Sequence, residues 1–349
     1  MPTSLVSIIS EQAAPNFLFI KEFYDKVDKF LFVSTEQMEK KNKTNLLCET
    51  LNVDKEKRIK TLITDEYYYQ NIEKLKKLNL SPDDTYLVNL TGGTKMMSIT
   101  IWQFFNTFKN VRFFYVPLGK NYYNELFNDK PVIQRDFKTC ITCKEYLNIY
   151  GIRYEESNIF LNKQLANDIF NDVKAGNFDL DKFPKKKLKD NAIEHTNVQL
   201  RTRWFEEYVY YRIKKELQLS DEYIITGAKL FEINEEKQSK SFYQNDNEVD
   251  VFFIYNNRPY IIECKFSIGK EKINYTNINS ILYKLSAINK RFGISAKATI
   301  FTLSDLSTIP QNASEGLHRR ATITNIYNPF FDRNTFLNNF DQELLSFVC

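Results

Sequence analysis

Five short apolar runs, spaced so that each gap can hold a helix, constrain this chain more than any other feature. They are LVSIIS (5–10), FLFVST (30–35), IKTLIT (59–64), TYLVNL (85–90) and VRFFYVP (111–117). A strand covered on one face alternates apolar and polar residues. These runs are apolar almost throughout, as strands of a parallel sheet buried on both faces must be. The intervening segments are long enough for crossover helices, which predicts βαβ units and a Rossmann-like sheet. In such a sheet ligands bind beyond the carboxyl ends of the strands. Three of those ends are polar: Ser10-Glu11-Gln12, Ser34-Thr35 and the loop Thr91–Lys95. One shared pocket is expected there.

From about residue 176 the composition changes. GNFDLDKFPKKKLKDNAIEH is polar, basic and poor in core residues, which predicts a connecting segment. The expected organisation is a first domain at 1–150, a connection at 151–199 and a second domain at 200–349. The second opens on the helix 201–217. Strands near 223–233, 248–255 and 259–266, a helix near 276–292 and a strand at 297–303 follow. Both domains read as α/β.

No apolar run approaches the roughly 18 residues that a bilayer crossing needs. The first ten residues, MPTSLVSIIS, lack a basic region and a small-residue cleavage site. A cytoplasmic chain without a membrane partner is expected. Five cysteines, an odd number, fit reduced thiols. Cys140 and Cys143 form one CxxC, without the second pair or nearby histidine that a zinc site needs. His195 and His318 are the only histidines, which argues against a histidine-based triad or a multi-histidine metal centre. Carboxylates and lysines are left to carry any catalysis. The net charge of +4 is compatible with nucleic-acid contact.

The stretch NEVDVFFIYNNRPYIIECKFS (247–267) joins two β-rich runs through Asn256-Asn257. If those asparagines form a tight hairpin turn, Asp250 faces Glu263 and Glu248 faces Lys265. Glu263 and Lys265 share a face because the side-chain period of a strand is two. Asp250, Glu263 and Lys265 are thereby gathered. Two facing carboxylates repel unless a cation lies between them, and oxygen ligands of this kind suit Mg²⁺ or Mn²⁺. Such a metal can polarise a phosphodiester and acidify a water, with the lysine orienting that water and stabilising developing charge. In the helix 201–217, Phe205, Val209 and Ile213 mark an apolar stripe. Glu206 falls on its edge and Glu207 points away, which makes Glu206 a candidate fourth member.

WFEEYVY, EVD, IIECK and LYKL (282–285) resemble the restriction-endonuclease-like, PD-(D/E)xK fold. More narrowly, they resemble the nuclease half of the CRISPR-associated Rossmann-fold (CARF) nucleases of type III CRISPR defence. The resemblance implies that Asp250, Glu263 and the backbone carbonyl of Cys264 bind metal. It makes Lys265 the active-site lysine and Glu206 the helix glutamate, with Tyr283 and Lys284 on the helix behind the site. The fold's Pro-Asp pair is absent, since Asp250 follows Val249.

The loop TGGTK (91–95) lacks the four-residue spacer of a Walker A motif, and Lys95 is followed by Met96, not Ser or Thr. Two readings of it fit the residues alone. Backbone N–H groups at Gly92-Gly93 could hold a phosphate at a helix start, with Thr94 and Lys95 assisting. Alternatively the loop is a tight strand-to-helix turn with a capping threonine. VSIISEQAAPN (6–16), LFVST (31–35) and NLTGGTKMMSI (89–99) together resemble a CARF ligand pocket. That resemblance implies a cyclic oligoadenylate ligand, cyclic tetra-adenylate first, near Ser10, Gln12, Thr35, Thr91, Gly92, Gly93, Thr94, Lys95 and Met96. It further implies a homodimer with the ligand on its two-fold axis, and a ligand-activated, metal-dependent endonuclease cutting single-stranded DNA or RNA, or nicking duplex DNA. Three alternatives compete. One is a non-catalytic CARF sensor that binds DNA, another is an enzyme degrading the cyclic nucleotide, and the third is a nuclease active without ligand.

Overall fold

The apolar runs do form a sheet. A computed structural model describes residues 1–64, 67–193, 198–232, 248–268 and 275–349, which excludes His195. The chain divides into two compact units. One comprises Met1–Ile152 together with two short turns, Asn256–Arg258 and Gly293–Ser295; the other comprises the remainder.

In the first unit the strands are β1 (Thr3–Ile8), β2 (Lys29–Ser34), β3 (Arg58–Leu62), β4 (Thr85–Asn89), β5 (Asn110–Tyr115), β6 (Tyr122–Leu126) and β7 (Ile133–Asp136). Their order is β3-β2-β1-β4-β5-β6-β7. The first five run parallel, while β6 and β7 are antiparallel additions. The sequence did not predict those two, because YYNEL and IQRD carry no continuous apolar run.

Strand periodicity divides the core between the two faces. On one face Val6, Ile8, Leu31, Val33, Tyr86 and Val88 pack with Met97, Ile101 and Phe105 of the helix Lys95–Phe105. On the other, Phe114 of β5 meets Phe19 and Phe23 of the helix Ala13–Phe23, with ring centroids 5.0 and 5.5 Å apart. The chain leaves β1 toward β2 on one side and leaves β4 toward β5 on the other. The strand order therefore reverses between β1 and β4, and the crevice of an open α/β sheet opens at their carboxyl ends.

In the second unit β8 (Ile152–Glu156), β9 (Ile224–Glu232), β10 (Glu248–Tyr255), β11 (Arg258–Lys265) and β12 (Lys297–Thr302) form a sheet ordered β12-β11-β10-β9-β8. β10 is antiparallel to β9, and β11 is parallel to β12. Residues 151–199 are more than the expected connection. They supply β8 and the helices Lys163–Ala175 and Lys182–Asp190, and apart from residues 151 and 152 they belong to the second unit. The reason is amphipathicity: Leu165, Ala166, Ile169, Phe170 and Val173 form one buried stripe among the charges. That stripe packs on the long helix Val198–Glu216, where Phe170 stacks on Tyr208 at 4.3 Å. The carboxyl-terminal helix Phe340–Val348 closes the same core through Phe347. The Tyr260 hydroxyl donates to the Val348 carbonyl at 2.7 Å.

Candidate functional site

β10 and β11 are joined by Asn256 and Asn257, at φ +49° and +60°. This left-handed pair is the geometry of a two-residue hairpin loop, which asparagine tolerates better than most residues. Tyr255 and Arg258 flank the turn, so counting inward sets Asp250 against Glu263. Lys265, two residues on, joins them. Its Nζ lies 2.7 Å from Glu263 Oε1 and 3.4 Å from Asp250 Oδ2. It also donates to the Cys264 carbonyl at 3.1 Å, while the Cys264 N–H donates to Asp250 Oδ2 at 2.6 Å. Asp250, Glu263 and Lys265 are thus brought together as the sequence predicts.

Both carboxylates are buried, at 8% and 3% exposure. Burial, then repulsion from Glu263, pushes the Asp250 carboxyl up to about 7. Burial works against the Lys265 charge, but Asp250 and Glu263 outweigh it and raise the lysine above its ordinary range. The two carboxylates thus favour the ammonium form of Lys265. Burial also holds the Cys264 thiol well above its ordinary range, which leaves it inert.

Glu206 lies on the edge of the helix stripe, where Phe205, Val209 and Ile213 are wholly buried. Its carboxyl is pushed up to about 8, first by burial and then by the charge of Asp250. That influence ties it electrostatically to the hairpin carboxylates. Arg203 Nη1 donates to Glu206 Oε2 at 2.9 Å. Glu207, expected to point away, is instead completely buried and accepts the N–H groups of Phe160 and Leu161 at 2.9 and 2.8 Å. The helix is covered on this side too, by the segment leading into the helix Lys163–Ala175, which lies within the expected connection 151–199. Of the two residues expected behind the site, Tyr283 is exposed, while the positive charge of Lys284 reaches Asp250.

Among the described residues no three His, Cys, Asp or Glu side chains are grouped closely enough to hold a metal by themselves. The donor set is two carboxylates and one backbone carbonyl, with the Lys265 ammonium lying against all three groups. These are hard oxygen donors with a cation already among them. They fit a divalent ion that keeps water or phosphate oxygens in its remaining positions.

In the first unit the loop after β4 rests against the end of β1. A Cβ on Gly92, at φ +90°, would come within 2.7 Å of Ser10 Oγ and 3.1 Å of the Ile8 carbonyl. A Cβ on Gly93, at φ +65°, would meet Ile8 and Met97 at 2.7 and 3.0 Å. Both glycines are required by conformation and by space. Thr94 caps the helix Lys95–Phe105, its hydroxyl accepting from the Met97 N–H at 3.3 Å. Thr91 is buried and accepts from the Val116 N–H at 2.6 Å, so its side chain braces the loop. Gly93, Thr94, Lys95 and Met96 are exposed above it. Thr35, at the carboxyl end of β2, caps a short helix by accepting from the Met38 N–H. Gln12 accepts the Ile294 N–H at 3.0 Å through its side-chain oxygen, and Ser10 donates to the Gln12 carbonyl at 3.3 Å.

Sequence reasoning missed the pair beneath this loop. Asn16 donates to the Ile8 carbonyl at 2.6 Å, Asn89 donates to Asn16 Oδ1 at 3.0 Å, and Asn89 Oδ1 accepts the Thr91 N–H at 3.0 Å. Both asparagines are buried, and together they tie the ends of β1 and β4. A lone asparagine at the end of the run TYLVN was the available signal.

Residues 4–146 match the family described as the Card1 CARF domain, and residues 194–315 match the family described as the Card1-like endonuclease domain. No curated protein sequence matches significantly. Solved structures are similar as well, among them the following three. Protein VC1899 from Vibrio cholerae is 16% identical with a TM-score of 0.71, over 99% of this chain and 97% of that one. Can2 from Sulfobacillus thermosulfidooxidans, in complex with cyclic tetra-adenylate, is 18% identical with a TM-score of 0.72, over 99% of each chain. A type III CRISPR defence DNA nuclease activated by cyclic oligoadenylate is 14% identical with a TM-score of 0.58, over 86% of this chain and 45% of that one. Among the described residues no helix is long and apolar enough to cross a membrane.

Proposed function

We propose that this chain, which belongs to the Card1-type family joining a CARF domain to an endonuclease domain, is a metal-dependent nuclease switched on by a cyclic oligoadenylate. The observation that carries the reading is the convergence of Asp250, Glu263 and Lys265 in one buried cluster on the β10–β11 hairpin. Asp250, Glu263 and the Cys264 carbonyl would hold Mg²⁺ or Mn²⁺. Bound there, the ion would supply Lewis-acid polarisation of a phosphodiester and a more acidic water. Lys265, kept positive by its two carboxylates, stabilises charge that develops on the phosphate. Glu206 adds a fourth polar group at the edge of the cluster.

The glycine loop supports the sensing half of the proposal. Gly92 and Gly93 hold their positive φ against Ser10 and Ile8, which leaves Thr94 and Lys95 exposed at a helix start beside the strand-order crevice. That is a phosphate grip with neither histidine nor paired carboxylates in the loop. It binds a nucleotide without the groups to hydrolyse it. A cyclic ligand with two-fold symmetry suits a homodimer in which each protomer offers the same loop. Can2 carries cyclic tetra-adenylate, which makes that ring the first to test, in defence of the type III CRISPR kind. Single-stranded DNA or RNA is the expected substrate.

The test is a cleavage panel of single-stranded RNA, single-stranded DNA and duplex DNA, with each cyclic oligoadenylate and Mn²⁺ or Mg²⁺. Cleavage that needs both ligand and metal, and that is lost in Asp250→Ala, supports the reading. Equal cleavage by Asp250→Ala defeats it.

A further inference from the structure

Arg203 stands one turn before Glu206 on the helix Val198–Glu216 and is itself only 8% exposed. A buried guanidinium is costly unless its donors are met. Here Nη1 donates to Glu206 Oε2 at 2.9 Å, Nε lies 3.6 Å from Glu207 Oε1, and Nη2 is buried without a hydrogen-bond partner. The hollow that holds it exists because residue 227 of β9 is glycine. A Cβ there would lie 1.6 Å from Nη1, 2.4 Å from Cζ and 2.5 Å from Nη2, and Gly227 sits at φ +57°. The Gly227 carbonyl is in turn held by Ser157, whose N–H and hydroxyl donate to it at 3.1 and 2.9 Å.

Glu207 is already satisfied by two backbone N–H groups. Anchoring the helix therefore does not call for Arg203 to reach Glu206 as well. The helix Val198–Glu216 packs against β10, the strand that carries Asp250. We infer that Arg203, seated against Gly227, is a positioning residue that sets the Glu206 carboxylate toward the Asp250–Glu263–Lys265 cluster. The inference rests on the nuclease reading of that cluster. It adds an arginine and a glycine that neither touch the reacting atoms nor belong to the expected motif.

A double-mutant cycle tests it. The full-length chain is assayed with cyclic tetra-adenylate, Mn²⁺ and the single-stranded oligonucleotide that the parent cuts. Mn²⁺ binding by electron paramagnetic resonance and the melting temperature are read in parallel. Arg203→Met should lower cleavage or Mn²⁺ affinity by about 10- to 100-fold, the scale of lost outer-sphere support. In a Glu206→Gln background the same change should cost nothing further. Arg203→Lys should restore part of the loss. Gly227→Ala should imitate Arg203→Met with the arginine intact, which keeps the test decisive if Arg203→Met folds poorly. Parent-like cleavage and Mn²⁺ binding in Arg203→Met overturns the inference, and so does a loss that multiplies with Glu206→Gln. Undiminished cleavage by Asp250→Ala defeats the underlying nuclease reading instead, without reference to this helix.

Discussion

Asp250 and Glu206 each hold a proton more tightly in the fold than an ordinary carboxyl does, because burial and a neighbouring carboxylate disfavour their charge. Between about pH 4, the ordinary carboxylate range, and about pH 8, the folded protein therefore binds more protons than the unfolded chain. Stability must fall as pH rises through that window. The raised Lys265 acts only above its ordinary range, near pH 10 and beyond. Metal-free protein should lose melting temperature from pH 5 to pH 8, and Asp250→Asn should flatten the slope. An unchanged slope in that variant would contradict the assignment of the shift to this carboxyl. Asp250, Glu263 and Lys265 could be read from two asparagines and a period of two. Arg203 and Gly227 could not, because their pairing depends on a helix and a strand that only the fold brings together.

Among the elements, the strand-to-helix turn at Gly92–Thr94 and the helix it starts are sensitive to single changes. Gly92→Ala requires a left-handed residue with a Cβ against Ser10 and the Ile8 carbonyl. It should cost at least about 1–2 kcal/mol by conformation alone, measured by chemical denaturation, and should abolish activation by ligand. Thr94→Ala removes the cap of the helix Lys95–Phe105 and should cost about 1 kcal/mol. Retained ligand affinity in Gly92→Ala would show that the loop is a turn and nothing more. β1, β2 and β4 were legible because burial on both faces writes itself into continuous apolar runs, while β3 and β5, more exposed, kept enough apolar residues to be read beside them. β6, β7 and β8 were not: β6 buries only alternate residues, and the edge strands β7 and β8 are largely exposed. The same limit explains residues 151–199: their lysines hide a stripe that becomes visible only at helical spacing.

For the molecule as a whole, a ligand that binds the folded state alone raises its stability by mass action, about 2.7 kcal/mol at a hundredfold excess over Kd. Cyclic tetra-adenylate should therefore raise the melting temperature, and a linear tetra-adenylate much less. Met96, Ile99 and Trp102 are exposed on the helix Lys95–Phe105, and the proposed homodimer would set a second copy over them. Trp102→Glu should shift sedimentation from dimer to monomer and weaken ligand binding; a parent chain that sediments as a monomer with ligand present would end that proposal. What the sequence by itself determined is periodic and local: parallel strands, a glycine turn, and a hairpin that sets two carboxylates and a lysine on one face. Those follow from neighbours within a few residues, where backbone geometry fixes direction. Only the tertiary structure decided that Glu207 is buried, that Gly227 makes room for Arg203, and that Asn16 and Asn89 clasp two strands. Each of those depends on distant segments excluding water from the same small volume.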